Sequence, residues 1–428
     1  MGRDDMGQTY AEKVLTRAVG RPVRSGEICV ADVDFVMVQD INGPRTVQVL
    51  DELGAERLHA PEKALIVLDH FAPPPTIESA GFHARLRAAG KKFGVAVADV
   101  GTGICHQLVL ERGKALPGHL VIGTDSHSCA YGASGAFGTS MGASETAIAL
   151  MTGKVWLRIP ASLKVLLEGS LRPGVSGKDV MLALMRILRE DGGDYLALEF
   201  GGPGVASLGM SDRATIAGLA VESSAKAGLF PPDPITLDWL ASIGVTPAPD
   251  LIFAPDPDAA YAREIVIDLD RLAPQVACPP SIDNVKDVSE AEPVKIDEVF
   301  IGTCTNGRLE DYRIVAAILK GRKVSAGVRC ICFPASRAIQ LRMIQEGITQ
   351  TLVAAGCMVM APSCGPCGGM HSGLVAAGEV VVSTGSRNYP GRMGDASSRV
   401  YLVSPATAAA SAVAGRLTDP RTLEALRQ

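Results

Sequence analysis

The stretch Glu298-Val299-Phe300-Ile301-Gly302-Thr303-Cys304-Thr305-Asn306-Gly307 joins a short apolar run to a glycine-bounded loop that carries a cysteine. An uninterrupted apolar run of this length suits a strand buried on both faces, the kind that parallel sheets use when helices cover them. The same pattern recurs along the chain. Ala64-Leu65-Ile66-Val67-Leu68 runs into Asp69-His70, and Gly94-Val95-Ala96-Val97-Ala98 passes through a glycine turn to His106. His119-Leu120-Val121-Ile122-Gly123 leads into Thr124-Asp125-Ser126-His127, and Met358-Val359-Met360 leads to Cys364 and Cys367. Val380-Val381-Val382 leads to Ser386-Arg387-Asn388-Tyr389-Pro390-Gly391-Arg392. Strand runs alternating with helical patterns predict α/β architecture. In open α/β sheets ligands bind beyond the carboxyl ends of the strands, so these loops are expected to face one cleft.

The chain has 428 residues, of which 47% are hydrophobic, 4% aromatic and 46 are glycine, a composition suited to close-packed strand–loop–helix units in two or three domains. Near Pro160 the pattern shifts to longer amphipathic segments such as Val180 to Arg189, and from Cys278 to Lys295 it turns polar and proline-containing. These shifts divide the chain into expected domains 1–150, 151–290 and 291–428. A net charge of −5 provides no whole-chain attraction for nucleic acid or anionic surfaces, so affinity for anions must come from local arginines. No apolar run approaches the ~18 residues of a membrane span. Ten cysteines without a secretory signal point to a reducing cytoplasm. Met1 to Asp5 are polar and precede a second methionine, Met6, which leaves two candidate starts.

Cys304 and the Cys364-Gly365-Pro366-Cys367 pair form a one-plus-two thiolate set that suits an iron–sulfur cluster, which normally takes four cysteines. A missing fourth ligand leaves an open position on iron, and an open position is what makes a metal a Lewis acid. A redox dithiol is the alternative, since Cys-Gly-Pro-Cys is also the thioredoxin tetrapeptide; it would leave Cys304 without a role, and no tryptophan precedes Cys364. A zinc site of the three thiolates with His371 is another. Cys29, Cys105, Cys129, Cys278, Cys330, Cys332 and Cys357 read as small core hydrophobes, although Cys105 beside His106 can approach a metal. His59, His83, His119 and His371 read as satisfied core residues.

The segments Gly103-Ile104-Cys105-His106-Gln107, Gly123-Thr124-Asp125-Ser126-His127-Ser128, Gly302-Thr303-Cys304-Thr305-Asn306 and Ser363-Cys364-Gly365-Pro366-Cys367-Gly368-Gly369 follow one another as signatures do in a known family. From about Met6 to Leu417 the chain resembles the large subunit of the aconitase superfamily, most of all its 3-isopropylmalate dehydratase and homoaconitase branch. The resemblance implies three α/β domains around a shared cleft, without the swivelling domain found in single-chain members. It implies a [4Fe–4S] cluster on Cys304, Cys364 and Cys367 with one iron not ligated by cysteine. It also implies three carboxylate–histidine pairs, Asp69 with His70, His106 with Asp125 and His127 with Glu222, with His70 as the proton donor to a departing hydroxyl. Arg387 and Arg392 would clamp substrate carboxylates, as the planar fork of arginine allows. Ser126 would donate a hydrogen bond to the same substrate.

Two positions depart from the family pattern. Ser386 and Gly218 stand where asparagine is frequent, and shorter side chains there bear on substrate choice. The implied activity is that of a hydro-lyase acting on a small hydroxy dicarboxylic acid, foremost the interconversion of 2-isopropylmalate and 3-isopropylmalate in leucine synthesis. Homoaconitase, citraconate or maleate hydratase and 2,3-dimethylmalate dehydratase are the alternatives within the class. The catalytic serine base would come from a separate small swivel-domain subunit. An RNA-binding regulator is the alternative outside the class, and it would need a basic face with aromatic stacking platforms, neither of which is evident.

Overall fold

The computed structural model describes residues 7–423, so the choice between Met1 and Met6 lies outside the described residues. Its first sheet is five-stranded and wholly parallel, in the order Ala96–Ala98, Ala64–Val67, Phe35–Gln39, Leu120–Gly123, Phe137–Ser140. Phe35–Gln39, Ala64–Val67 and Leu120–Gly123 are buried throughout, as uninterrupted apolar runs demand. Alternation still decides which core each residue joins. Met37 and Val67 face a core shared with the rest of the molecule, whereas Val36, Val38 and Ile66 face an outer core with Leu15, Leu50 and Leu86.

The second sheet has four parallel strands in the order Ala227–Leu229, Ala197–Gly201, Ser162–Glu168, Arg263–Asp268. A separate antiparallel ribbon pairs Ile28–Asp32 with Lys154–Arg158. The third sheet has seven strands in the order Val285–Asp287, Gln275–Ala277, Arg399–Val403, Val380–Ser383, Glu298–Ile301, Arg329–Cys332, Met358–Val359. Two of these strands precede position 290, where a domain division is expected. Gln275–Ala277 pairs antiparallel with both Val285–Asp287 and Arg399–Val403, so the polar, proline-containing segment supplies an antiparallel margin to an otherwise parallel sheet.

Two places in this topology favour a binding crevice. Beside Phe35–Gln39 the chain adds Ala64–Val67 on one side and Leu120–Gly123 on the other. Beside Glu298–Ile301 it adds Arg329–Cys332 on one side and Val380–Ser383 on the other. Where strand order reverses, the connections leave in opposite directions and the loops part. The loops that part here start at Asp40, Thr124, Gly302 and Thr384. No helix among the described residues is long and apolar enough to cross a membrane.

Candidate active site

The six loops meet at one cavity of about 230 Å³, bordered by His70, His106, Asp125, Ser126, His127, Cys304, Cys364, Cys367, Arg387 and Arg392. Cys304 arrives on a tight approach. A Cβ on Gly302 would stand 2.8 Å from the Phe333 carbonyl oxygen, and one on Gly307 2.9 Å from the same atom, so only glycine lets the loop pass there. Between them Thr303 holds φ at +74°, a left-handed conformation costing about 1–3 kcal/mol for a residue with a side chain. Local bonds sustain it: Thr303 Oγ1 accepts from the Thr305 amide at 3.1 Å and lies 2.7 Å from Thr305 Oγ1.

His70 sits among three carboxylates. Its Nδ1 is 2.9 Å from Asp69 Oδ1 and 3.6 Å from Asp40 Oδ1, and its Nε2 is 3.4 Å from Asp125 Oδ2. Burial pushes this imidazole toward neutrality, but Cys364, Asp69, Asp125 and Asp40 outweigh burial and hold its pKa well above the ordinary value. Asp69 is anchored in turn, its Oδ2 accepting from the Cys105 amide at 2.8 Å. Asp40 is fully buried and accepts from the backbone amides of His70 and Phe71, both at 3.0 Å, with His83 Nε2 at 2.8 Å. Burial raises the Asp40 pKa, and its hydrogen bonds to His70 and His83 more than reverse that, leaving it depressed.

Asp125 is the second hub. Its Oδ1 lies 2.7 Å from His106 Nε2 and accepts from the His127 amide at 2.9 Å. Burial would raise its pKa, yet His106, His127 and His70 together keep it well below the usual carboxylate range. His127 Nε2 is 2.9 Å from Glu222 Oε1, and Arg387 Nε donates to Glu222 Oε2 at 3.0 Å. Burial lowers the His127 pKa, but Asp125 and Glu222 turn the shift upward. Arg387 also donates to Ser126 Oγ at 3.1 Å, so Ser126, Glu222 and His127 form one chain of contacts around the guanidinium.

The donor set suits an iron–sulfur cluster. Cys304, Cys364 and Cys367 all border the cavity, and Arg392 Nη2 points at Cys367 Sγ from 3.8 Å while its buried Nε has no hydrogen-bond partner among the described residues. Burial pushes the Cys304 and Cys364 thiols up, Cys364 to about 12, so thiolates here need a positive partner. A cationic centre is what would stabilise three neighbouring thiolates there.

The structure adds side chains that the local sequence does not single out. Lys178 is fully buried and donates from Nζ to the carbonyl oxygens of Thr384 (3.2 Å) and Gly385, tying a distant helix to the loop before Arg387. Arg308 donates to the Cys304 and Thr305 carbonyls at 2.6 and 2.7 Å and to Gln107 Oε1 at 3.0 Å, holding the cysteine loop. Asp40 follows the apolar run Phe35-Val36-Met37-Val38, and the pattern that marks Asp69 could have marked it too. Gly218 does not border the cavity: a Cβ there would meet Ala130 Cβ at 3.3 Å, so the position serves close packing of the helix Met210–Leu219. Ser386 is buried with Oγ 4.0 Å from Cys367 Sγ.

Parallel sheets that open at their switch points onto imidazole–carboxylate pairs, cysteine sulfurs and guanidinium groups define an α/β protein built to hold a soft metal centre beside a small anionic ligand. Sequence comparison makes the class specific: the model of the Aconitase family (aconitate hydratase) matches residues 12–294 and 282–415. The chain belongs to this family, whose membership implies an iron–sulfur cluster. It is 47% identical to the homoaconitase large subunit of Thermus thermophilus over 98% of this chain and 99% of that protein. It is 45% identical to 3-isopropylmalate dehydratase large subunit 1 of Methanopyrus kandleri, over 97% of this chain and 99% of that one. For 3-isopropylmalate dehydratase large subunit 1 of Thermotoga maritima the identity is 46%, with the same coverage of 97% and 99%. Among solved structures, the holo-form of Thermococcus kodakaraensis aconitase X matches with a TM-score of 0.49 at 13% identity, over 83% of this chain and 84% of that chain.

Proposed function

We propose that this chain is the large subunit of a hydro-lyase that removes water from a small hydroxy dicarboxylic acid and returns it at the neighbouring carbon, with 2-isopropylmalate and 3-isopropylmalate as the interconverted pair. The observation that carries the reading is the gathering of three cysteines, three histidine–carboxylate pairs and two arginines on one cavity in an aconitase-family chain. Held by Cys304, Cys364 and Cys367, a [4Fe–4S] cluster with one iron free of cysteine would supply Lewis acidity toward substrate carboxylate and hydroxyl oxygens.

The chain's own groups divide the remaining work. His70, held protonated by the carboxylates around it, donates its proton to the departing hydroxyl, which otherwise leaves poorly. Arg387 and Arg392 present guanidinium groups to the two carboxylates of the diacid. Glu222 anchors Arg387 and His127 together, and Asp125 keeps His106 and His127 oriented. Ser126 positions the substrate beside Arg387. The base that takes the substrate proton is a serine on a separate small swivel-domain subunit, in keeping with relatives named as large subunits.

Co-purification with that small subunit under anaerobic conditions, followed by a panel of hydroxy diacids monitored at the ultraviolet absorbance of the unsaturated product, tests the assignment. The expected result is preference for the isopropylmalates; rejection of them would favour another activity of the class, such as the homoaconitase for which the Thermus relative is named. Cys364→Ser should abolish both brown colour and turnover, and turnover that survives would remove the cluster from the reaction.

A further inference from the structure

A second group of sulfurs lies outside the catalytic cavity. Cys330 and Cys332 flank Ile331 on strand Arg329–Cys332, so alternation turns both toward the same face. Ile331 pairs with Met358 on the neighbouring parallel strand, which brings Cys357, one residue earlier, level with Cys330. The three thiol sulfurs lie within 4.8 Å of one another, and all three residues are buried. A single ion bound at about 2.3 Å by three thiolates holds those sulfurs about 4 Å apart. The group therefore stands within a small side-chain adjustment of a three-coordinate site.

Charge decides which ion suits it. Arg329 is paired with Glu298 and Glu379, and the Glu298 carboxylate makes a thiolate at Cys330 less favourable. Three thiolates around a monovalent or divalent metal would leave net negative charge in a buried pocket, which is costly. Three thiolates around a trivalent centre leave none. We propose that Cys330, Cys332 and Cys357 form a binding site for a trivalent thiophilic metalloid of the arsenite class, separate from the iron–sulfur site. Binding is a condensation: each thiol gives its proton to a hydroxyl of arsenous acid, three As–S bonds replace three As–O bonds, three waters leave and arsenic stays trivalent. Access runs through Cys357, which precedes Met358–Val359, a two-residue strand at the sheet margin where local opening is easiest.

The test uses the cluster-loaded complex with the small subunit, so that Cys304, Cys364 and Cys367 are occupied. Sodium arsenite is added without oxygen, unbound arsenic is removed by gel filtration, and arsenic X-ray absorption counts the sulfur neighbours. The expected result is one retained arsenic per chain with three sulfur ligands, lost in Cys357→Ala and in Cys332→Ala while cluster absorbance stays at the wild-type level. No retained arsenic in the wild-type complex, two sulfur ligands instead of three, or equal retention in both variants would overturn the proposal. Zinc chloride in place of arsenite provides the second arm: zinc retained by the same three cysteines in preference to arsenic would refute the charge argument. The wild-type sulfur count stands on its own if either alanine variant fails to fold.

Discussion

Asp40→Asn is the sharpest test of how the site is held together. The carboxylate has no solvent exposure and receives three donors, with the His70 amide on Oδ1 and the Phe71 amide and His83 Nε2 on Oδ2. An asparagine of the same shape keeps one carbonyl oxygen and turns the other position into a donor. Whichever way it is placed, one backbone N–H then faces an NH2 group. A buried donor left without an acceptor costs about 1–3 kcal/mol, and replacing charge-assisted bonds by neutral ones adds to that, for a total of about 2–5 kcal/mol. At about 2.1 cal/mol/K per residue the unfolding entropy of a chain this long makes each kcal/mol worth about 1 °C, so the melting temperature should fall by about 2–5 °C. The Asp40 carboxylate also helps keep His70 protonated, so its loss lowers the His70 pKa. In the proposed reaction His70 must be protonated to act; it then loses its proton at lower pH, and the alkaline limb of the kcat profile moves to lower pH. Looser placement of the ring should cost about tenfold to a hundredfold in kcat. Differential scanning calorimetry and a pH–rate profile of the reconstituted enzyme measure both effects. A variant with the wild-type melting temperature and an unmoved alkaline limb would show that Asp40 positions nothing.

Arg387→Lys removes the fork that touches both Glu222 and Ser126, and the loss of about 1.5–3 kcal/mol should lower kcat/KM about tenfold to a hundredfold in steady-state assays. Lys178→Met leaves the buried Thr384 and Gly385 carbonyl oxygens without their donor, so the loop carrying Arg387 should show faster amide exchange and KM should rise; unchanged exchange there would argue that the lysine only fills space. Asp179 accepts from the Gln275 and Ser176 amides, yet burial pushes its pKa up to about 6 from about 3.9 in the unfolded chain. A carboxyl whose folded pKa is raised contributes full stability below its unfolded value and loses it as pH rises to the folded one. Asp179→Asn escapes this titration, so the variant's stability relative to wild type should rise by about 2 kcal/mol between pH 4 and pH 6 in urea titrations, and a flat difference would contradict the assignment.

The parallel α/β architecture and the loops that meet at the cavity were legible because both follow from local pattern. Apolar runs such as Val299-Phe300-Ile301 announce strands buried on both faces, and the residue types beyond them announce soft-metal and proton chemistry. What local pattern misses is burial of charge, because that depends on partners far along the chain. Lys178 sits in the amphipathic helix Gly177–Leu188, where a lysine normally marks the wet face; only the fold brings Thr384 and Gly385 to it. Arg308 and Asp40 are hidden for the same reason. His83 reads as a satisfied core histidine; it is buried, but only its Nε2 is partnered, by the carboxylate anchoring the His70 backbone, while its Nδ1 has no partner among the described residues. The cysteines Cys330, Cys332 and Cys357 read singly as small hydrophobes, and only sheet register makes them a group.

Those hidden residues share a physical logic. A crevice at a switch point is made of loops that diverge, and diverging loops have few backbone bonds to one another. Something must hold them at fixed separation without filling the cavity. Buried charged side chains do this from behind: Lys178 binds the loop before Arg387, Arg308 binds the loop of Cys304, and Asp40 binds the turn of His70. Each reaches a backbone group, so it fixes the position of the loop and leaves the reacting side chains turned toward the cavity. Each is also an ionic group out of water, which is tolerable only while every bond is made. The site is therefore expected to fail cooperatively: Lys178→Met combined with Asp40→Asn should cost less than the sum of the two in kcat/KM, because either change alone already releases a wall of the same cavity. Strict additivity in that double-mutant cycle would mean that the loops are held independently.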